Sequence, residues 1–330
     1  MGGEGLADSL LQTLSLPLRG PLPLPRKAGE GLQVAVPHDL AFRRVNHVFR
    51  LQVGPVSFRI GSQWRGPVAA LRRLYAGYPE HDGVCDFTVR LEAERFWRRF
   101  VRPSVAIRGD YVLPDAAPLP LAQGLLAAEM GMNLQMALGQ KRFLLLHAAS
   151  LEKDGRAVLM TGHSGAGKST LAALLGERGW RFMGDEFALL GLDDAQLHPF
   201  PRAVSLKNES IGLLDGIDAA RLGPVLAGTP KGIIRHLRPN PEAVARMGEP
   251  ARPVLILFPR FGRDLEPAVR EVGAAEAFMR LTQASTNYVA LGERGFETLT
   301  RFVGTLPSKA IDYAGIEQAE ALVEELWRAA

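Results

Sequence analysis

The run T-G-H-S-G-A-G-K-S-T at residues 161–170 holds Gly162, Gly165, Gly167, Lys168 and Ser169 in the spacing G-x-x-x-x-G-K-[ST]. Each residue type there has a chemical reason. Glycines let consecutive backbone N–H groups turn inward around an anion with no Cβ in the way. A helix opening near Gly167 adds the positive end of its dipole. The Lys168 ammonium reaches terminal phosphates, and the Ser169 hydroxyl is a magnesium ligand. The loop through His163, Ser164, Ala166 and Thr170 is therefore the expected cradle, and the guest it fits is ATP with Mg²⁺. Asp185 and Glu186 follow Lys168 by only seventeen positions, one helix further on. One carboxylate is expected to hold the metal or its waters, and the other to take a proton from an attacking hydroxyl.

These residues need a strand–loop–helix–strand frame, and the flanks supply its pattern. A-V-L-M-T at 157–161 reads as a buried strand entering the loop, and L-A-A-L-L-G-E-R-G at 171–179 as the helix leaving it, with Gly179 as its C′ residue. W-R-F-M-G-D-E-F-A-L-L at 180–190 reads as the next strand. F-L-L-L-H-A-A-S-L at 143–151 reads as one strand before the turn Lys153-Asp154-Gly155. P-V-L-I-L-F-P at 253–259 is expected to be a central strand, with helices at 274–283, 294–304 and 316–328.

Upstream the texture is β-rich. A hairpin turning at Gly54-Pro55, a helix near 68–75, a strand at 86–92 and a second hairpin turning at Gly109-Asp110 precede an apolar helix over 120–140. Residues 1–31 are rich in Pro and Gly and read as a flexible arm or linker. The expected organisation is that arm, a small α+β N-terminal domain over 32–140, and an α/β P-loop domain over 141–330.

The chain has 330 residues, 47% hydrophobic and 22% charged, with a net charge of +4, so it can bury a large core. Of its 39 basic residues only seven are Lys, and the Arg pairs at 43–44, 72–73 and 98–99 form no long basic run. The expectation is solvated Arg on the surface and no nucleic-acid partner. The single cysteine, Cys85, allows no internal disulfide and points to a reducing compartment. No apolar run is long enough to span a bilayer, and the first residues lack a signal-peptide pattern, so the expected location is cytoplasmic without membrane insertion.

Several separated motifs together resemble a known family. L-H-A-A-S-L, G-R-A-V-L-M-T-G-H-S-G-A-G-K-S-T and R-G-W-R-F-M-G-D-E are similar to the catalytic domain of HPr kinase/phosphorylase. V-S-L-K-N-E-S-I at 204–211, the K-G-x-x-x-H-L-R-P run at 231–239, L-F-P-R-F and G-F-E-T-L are closer to HPr-kinase-related kinase A, a group associated with exosortase systems. The resemblance implies a P-loop domain of the HPr kinase/phosphoenolpyruvate-carboxykinase type and ATP-dependent phosphoryl transfer to a hydroxyl, with Ser or Thr of a peptide or protein first and a small molecule second. It implies Asp185 as catalytic base with Lys168 and His147 beside it, Ser169, Glu186 and Glu209 as metal residues, and Lys207, Lys231, His236 and Arg238 as acceptor or phosphate contacts. Read from the residues alone, His147 is equally a packed strand histidine.

The chain departs from the family at three places. His163 stands where an acidic residue is usual, Glu186 replaces an Asp, and the E-I-R-G-L-G-I segment tied to phosphorolysis is not recognisable. A kinase without phosphorylase activity is the expectation, with a second copy of the chain among its candidate partners. A nucleotide-sensing scaffold and an ATPase are the competing readings, each binding ATP without a phosphorylated acceptor.

Overall fold

The computed structural model describes residues 45–114, 116–163 and 165–330. The expected arm at 1–31 and the loop residue Ser164 lie outside the described residues. Packing divides the chain into two units, one holding the described residues through Gln140 together with Lys207–His236, the other holding Lys141–Leu206 and Leu237–Ala330. The segment 207–236 was expected in the second domain, and it packs with the first unit.

In the first unit β1 (His47–Val53) and β2 (Val56–Ser62) form the expected hairpin, with Gly54 at φ 51° in its turn. Helix α1 (Arg65–Leu74) follows, with Val68, Leu71 and Leu74 buried at helical spacing. β3 (Phe87–Ala93) runs parallel to β2, and β4 (Ser104–Gly109) runs antiparallel to β3. The short β5 (Leu119–Pro120) closes the sheet in the order β1-β2-β3-β4-β5. The expected second hairpin at Gly109-Asp110 does not form. Asp110 Oδ2 instead accepts the Thr88 amide (2.7 Å), and Gln135 clamps both the N–H and the carbonyl of Tyr111 (2.9 and 3.0 Å). Gln135 belongs to α2 (Gly124–Gly139), a helix buried almost all round that packs on β3, β4 and α1.

The second unit opens with β6 (Phe143–Leu146) and β7 (Ala148–Lys153), which were expected as one strand but join different sheets. β8 (Arg156–Thr161), α3 (Lys168–Glu177), β9 (Arg181–Gly184) and β10 (Ala188–Gly191) follow. The run 180–190, also read as a single strand, is likewise split. β11 (Leu197–His198) and β12 (Val204–Lys207) lead to the segment that packs with the first unit, where β13 (Leu226–Thr229) and β14 (Gly232–Leu237) pair antiparallel.

The chain then continues through α4 (Pro241–Ala245), β15 (Arg252–Phe261), β16 (Ala268–Glu271), α5 (Ala274–Ala284), α6 (Tyr288–Leu291), α7 (Glu293–Thr305), β17 (Ser308–Tyr313) and α8 (Ile316–Ala329). The main sheet has the order β16-β17-β15-β8-β7-β9, with β15 central and parallel to both β8 and β17. A second sheet, β11-β10-β6, is antiparallel throughout. The core between them includes Leu144, Leu146, Leu159, Met183, Leu190, Ile256, Phe258, Leu281 and Phe302. The three long helices at the C-terminal end of the chain, α5, α7 and α8, match those expected from the apolar periodicity.

Candidate functional site

Two chain runs pass each other antiparallel and change sheets at the same level. β6 pairs with β10, Leu146 facing Ala188, while β7 pairs with β9, Ser150 facing Gly184. The residues at the changeover are His147 on one run and Asp185, Glu186 and Phe187 on the other. A strand that leaves its sheet exposes backbone groups that must find partners. The His147 amide donates to Ala284 O (2.7 Å), and the His147 carbonyl accepts from Thr161 Oγ1 (2.9 Å). Asn287 accepts the Leu145 amide and donates to Phe143 O (2.9 and 2.8 Å), and Ser285 Oγ donates to Leu145 O (2.9 Å). The polar run T-Q-A-S-T-N at 282–287 thus satisfies the edge that β6 turns away from the main sheet.

At the changeover Glu186 has φ 72°, a left-handed conformation that carries strain for a residue with a Cβ. That twist aims the Glu186 carbonyl at His147 Nδ1, 3.1 Å away. A carbonyl only accepts, so Nδ1 carries the proton in this contact. The buried Asp185 carboxyl accepts a hydrogen bond from Ser169 and lies in the field of Glu186, His147 and Lys168. Burial, aided by the Glu186 charge, pushes its pKa above the ordinary aspartate range, against the opposing pull of Ser169, His147 and Lys168. A carboxyl so held is a better proton acceptor than an exposed one when ionised.

The loop between β8 and α3 supplies the rest. Gly165 and Gly167 sit at φ 85° and 86°, and Leu171 N–H closes the first helical turn onto Gly167 O (2.8 Å). Lys168 is buried, and its Nζ donates to Gly162 O and His163 O (2.6 and 3.0 Å), so the ammonium is folded back across the loop. His163 and Gly165 are exposed, and Ala166 and Thr170 are half-buried. α3 ends as expected, with Gly179 at φ 89° and Trp180 N–H reaching back to Leu175 O (3.2 Å).

These features suit a phosphate chain with a divalent ion. The helix N-terminus, the left-handed glycines and the ammonium all favour anionic oxygens, and the Ser169 hydroxyl stands beside a carboxylate. Among the described residues no three His, Cys, Asp or Glu side chains form a metal-holding group. Mg²⁺ held with nucleotide oxygens and water needs no such cage.

Lys168, Ser169, Asp185, Glu186 and His147 are thus assembled within the second unit. Arg238, half-buried, also belongs to it. Lys207, Glu209, Lys231 and His236 belong to the first unit, with Glu209 exposed and His236 buried.

Tyr313, at the end of β17, had no sequence signal as a site residue. Its hydroxyl donates to Ala166 O (3.3 Å), and burial raises its pKa to about 12, so it stays a donor at neutral pH. A Cβ on Gly167 would fall 2.5 Å from that hydroxyl and 3.2 Å from Phe261 Cβ. An aromatic residue ending a strand reads as core, and 147 positions separate Tyr313 from Ala166. Thr161, the strand residue that fixes His147, was hidden in the same way.

Fold and site define a mixed α/β protein with a glycine-rich, lysine-bearing turn at a strand–helix junction, facing a buried carboxyl. The family described as SynChlorMet cassette protein ScmC matches residues 125–218. The solved structure of the Hpr(Ser) kinase/phosphatase from Coxiella burnetii aligns with 56% of this chain and 94% of its own, at 18% identity and a TM-score of 0.25. A score that low does not establish a common fold. No curated protein matches the chain significantly. No helix among the described residues is long and apolar enough to cross a membrane.

Proposed function

We propose that the second unit is an ATP-dependent kinase that transfers the γ-phosphoryl group to a hydroxyl, with a Ser or Thr of a peptide or protein as the acceptor class. The observation that carries this reading is the hydrogen bond from Ser169 to a buried Asp185 carboxyl whose pKa is raised, beside Lys168. A loop that only binds nucleotide has no need of a carboxyl tuned to accept a proton. The motif resemblance to HPr-kinase-like enzymes supports the same reading.

Bound ATP·Mg²⁺ supplies the electrophilic phosphorus and neutralises charge on the phosphate oxygens. Loop amides from Gly162 to Gly167 and the α3 N-terminus hold the phosphates. Lys168 swings from its loop carbonyls to the transferring group. Ser169 and Glu186 are the metal residues. Asp185 orients the acceptor hydroxyl and takes its proton as the oxygen–phosphorus bond forms and the bond to the β-phosphate oxygen breaks. His147, its Nδ1 proton fixed on Glu186 O, presents its other ring nitrogen and holds the carboxylate pair in place. These residues act by positioning and electrostatics.

The test is transfer from γ-labelled ATP into a lysate of the source cells, with the wild type and Asp185→Asn side by side. Expected is a product labelled by the wild type and reduced by about 10²–10⁴ in the variant, with nucleotide binding retained. The active species is the ionised carboxylate, so the rate should rise with pH through an inflection above about 3.9, the ordinary aspartate value. Equal turnover in the variant refutes the assignment. Label released only as phosphate makes the protein an ATPase, and intact ATP despite binding makes it a sensor.

A further inference from the structure

The first unit carries a surface with no part in that chemistry. Between β3 and β4 the chain reads E-R-F-W-R-R-F-V-R at residues 94–102, with four Arg against one Glu. Phe96 is 82% and Phe100 66% exposed, and Trp97 and Val101 are each about half exposed. Four large apolar side chains this close together in water mark an interaction site more than chance.

The segment is pre-organised. Phe96–Arg99 forms a 3₁₀ turn with no buried residue, and the amides of Phe100 and Val101 both donate to Trp97 O (3.1 and 3.0 Å). Trp64 Nε1 donates to Arg99 O (3.1 Å), which pins the turn to the start of α1. Phe96 and Phe100 pack edge to face at 5.8 Å, and the Arg98 guanidinium lies 4.4 Å over Trp97. Beside the turn is an open hollow of about 820 Å³, whose lining includes Arg98 and Arg102, one carboxylate, Glu94, and the residues Ser104, Pro118 and Leu121. Ser104 Oγ is buried there without a hydrogen-bond partner. Arg102 is held at φ 45°, an uncommon conformation for a residue with a Cβ.

We propose that residues 95–102 seat the protein on an anionic lipid surface. The aromatic rings rest at the headgroup–acyl boundary, and a lipid phosphate rests at the mouth of the hollow against Arg98 and Arg102, whose two charges outweigh that of Glu94. The charge pattern selects this occupant. Guanidinium groups stay ionised at every physiological pH and match phosphate oxygens in pairs. Trp, Phe and Arg side by side match the change from charge to hydrocarbon at a bilayer surface. A folded protein partner would have to present a shaped recess over about 800 Å² to receive a protruding turn. A bilayer yields to it.

The experiment is co-sedimentation of the full chain with vesicles of phosphatidylcholine alone or with about 30% phosphatidylglycerol. Expected is about tenfold more binding to the anionic vesicles, a blue shift of emission that is lost in Trp97→Phe, and weakening as salt rises. The double variant Phe96→Ser/Phe100→Ser should lose about tenfold in binding with an unchanged melting profile, while kinase activity, if the reading above is right, stays as it was. Equal binding to both vesicles, binding to neither, or undiminished binding by the double variant overturns the proposal. Capture by single-stranded RNA or polyglutamate in place of vesicles, with the same loss in the variant, also overturns it and gives the surface to that polymer.

Discussion

The five-stranded sheet of the first unit and the six-stranded sheet of the second bury apolar strands by different rules. In the first, β1 to β4 run through their whole length in one sheet, and the interior-facing residues Leu51, Phe58, Ile60, Val89 and Leu91 pack under α2 and α1. In the second, two runs of comparable apolarity break where His147 and Asp185 stand, and their halves pair in different sheets. The break has costs: a left-handed Glu186, a buried carboxyl and an edge that Ser285 and Asn287 must satisfy. A continuous strand keeps its residues in the ladder and leaves none at one level free to turn out of it. Interrupting two adjacent strands at one level frees residues of both.

The sharpest way to test that contrast is through charge. Next to the break, β7 and β9 are tied by a buried ion pair between Glu152 and Arg181, whose side chains are 2% and 3% exposed. Arg181 also donates to Arg246 O and Glu249 O (2.8 and 2.9 Å). Arg181→Met leaves the Glu152 charge buried with only part of its support, and the expected loss is about 3–5 kcal/mol in urea unfolding followed through Trp180. The comparator in the first unit is Arg72, paired with Glu80 at 2.6 Å with side chains 45% and 55% exposed. Arg72→Met should cost no more than about 1 kcal/mol. Similar losses at the two positions would show that the second sheet does not depend on its buried charges.

Glycine separates the two units on a smaller scale. Gly131 in α2 lies where a Cβ would meet Val89 Cγ1 at 2.5 Å, and Gly167 lies where one would meet Tyr313 Oη at 2.5 Å with φ at 86°. The first glycine permits close helix–sheet packing, and the second permits both a backbone shape and a close approach. Gly131→Ala should cost about 1–3 kcal/mol by overpacking and leave ATP affinity unchanged. Gly167→Ala should cost a similar about 1–3 kcal/mol and also weaken ATP binding. Adding Tyr313→Phe to Gly167→Ala removes the 2.5 Å contact, together with the hydrogen bond to Ala166 O, and leaves the backbone strain in place. Calorimetric titration should then recover part of the affinity; full recovery would mean that the loop tolerates alanine at that φ.

The parts of this arrangement that could be read from the residues are those set by neighbours in sequence. The glycine-rich loop, its helix and the Gly179 stop follow from spacing within about one turn of chain, and so does the hairpin at Gly54-Pro55. The sheet changes were not legible because F-L-L-L-H-A-A-S-L has the same apolar texture on both sides of His147. Only their partners distinguish the halves: distant β10 for one, and neighbouring β8 with distant β9 for the other. Gly109-Asp110 carried a turn signal, but Gln135 from α2 claims Tyr111, and the strand that returns along β4 forms only at Leu119–Pro120. The packing of 207–236 with the first unit was equally invisible, since nothing in V-S-L-K-N-E-S-I marks a chain leaving its unit. Clustering of His147 with Asp185 was expected from resemblance, and the structure supplies its cause in the paired breaks.

The smallest effect has the most diagnostic sign. Glu186 at φ 72° carries left-handed strain of about 1–2 kcal/mol, whereas Arg90 sits inside a regular strand paired with Arg108. Replacing each by Gly adds the same unfolded-state entropy, about 0.5–1 kcal/mol against folding. At Glu186 the strain relief exceeds that penalty and the Coulomb repulsion of Asp185 disappears, so Glu186→Gly should raise stability by about 0.5–1 kcal/mol. At Arg90 there is no strain to relieve and the ion pair with Glu92 (3.1 Å) is lost, so Arg90→Gly should lower stability by about 1 kcal/mol or more. Glu186→Gly should at the same time lower the proposed phosphoryl transfer, because the carboxylate proposed to hold the metal is gone and the carbonyl that orients His147 is free to turn. Opposite signs in thermal melts of the two variants would mean that the break is held under strain for its chemistry. Losses at both positions would make Glu186 an ordinary turn residue, and the changeover a matter of packing alone.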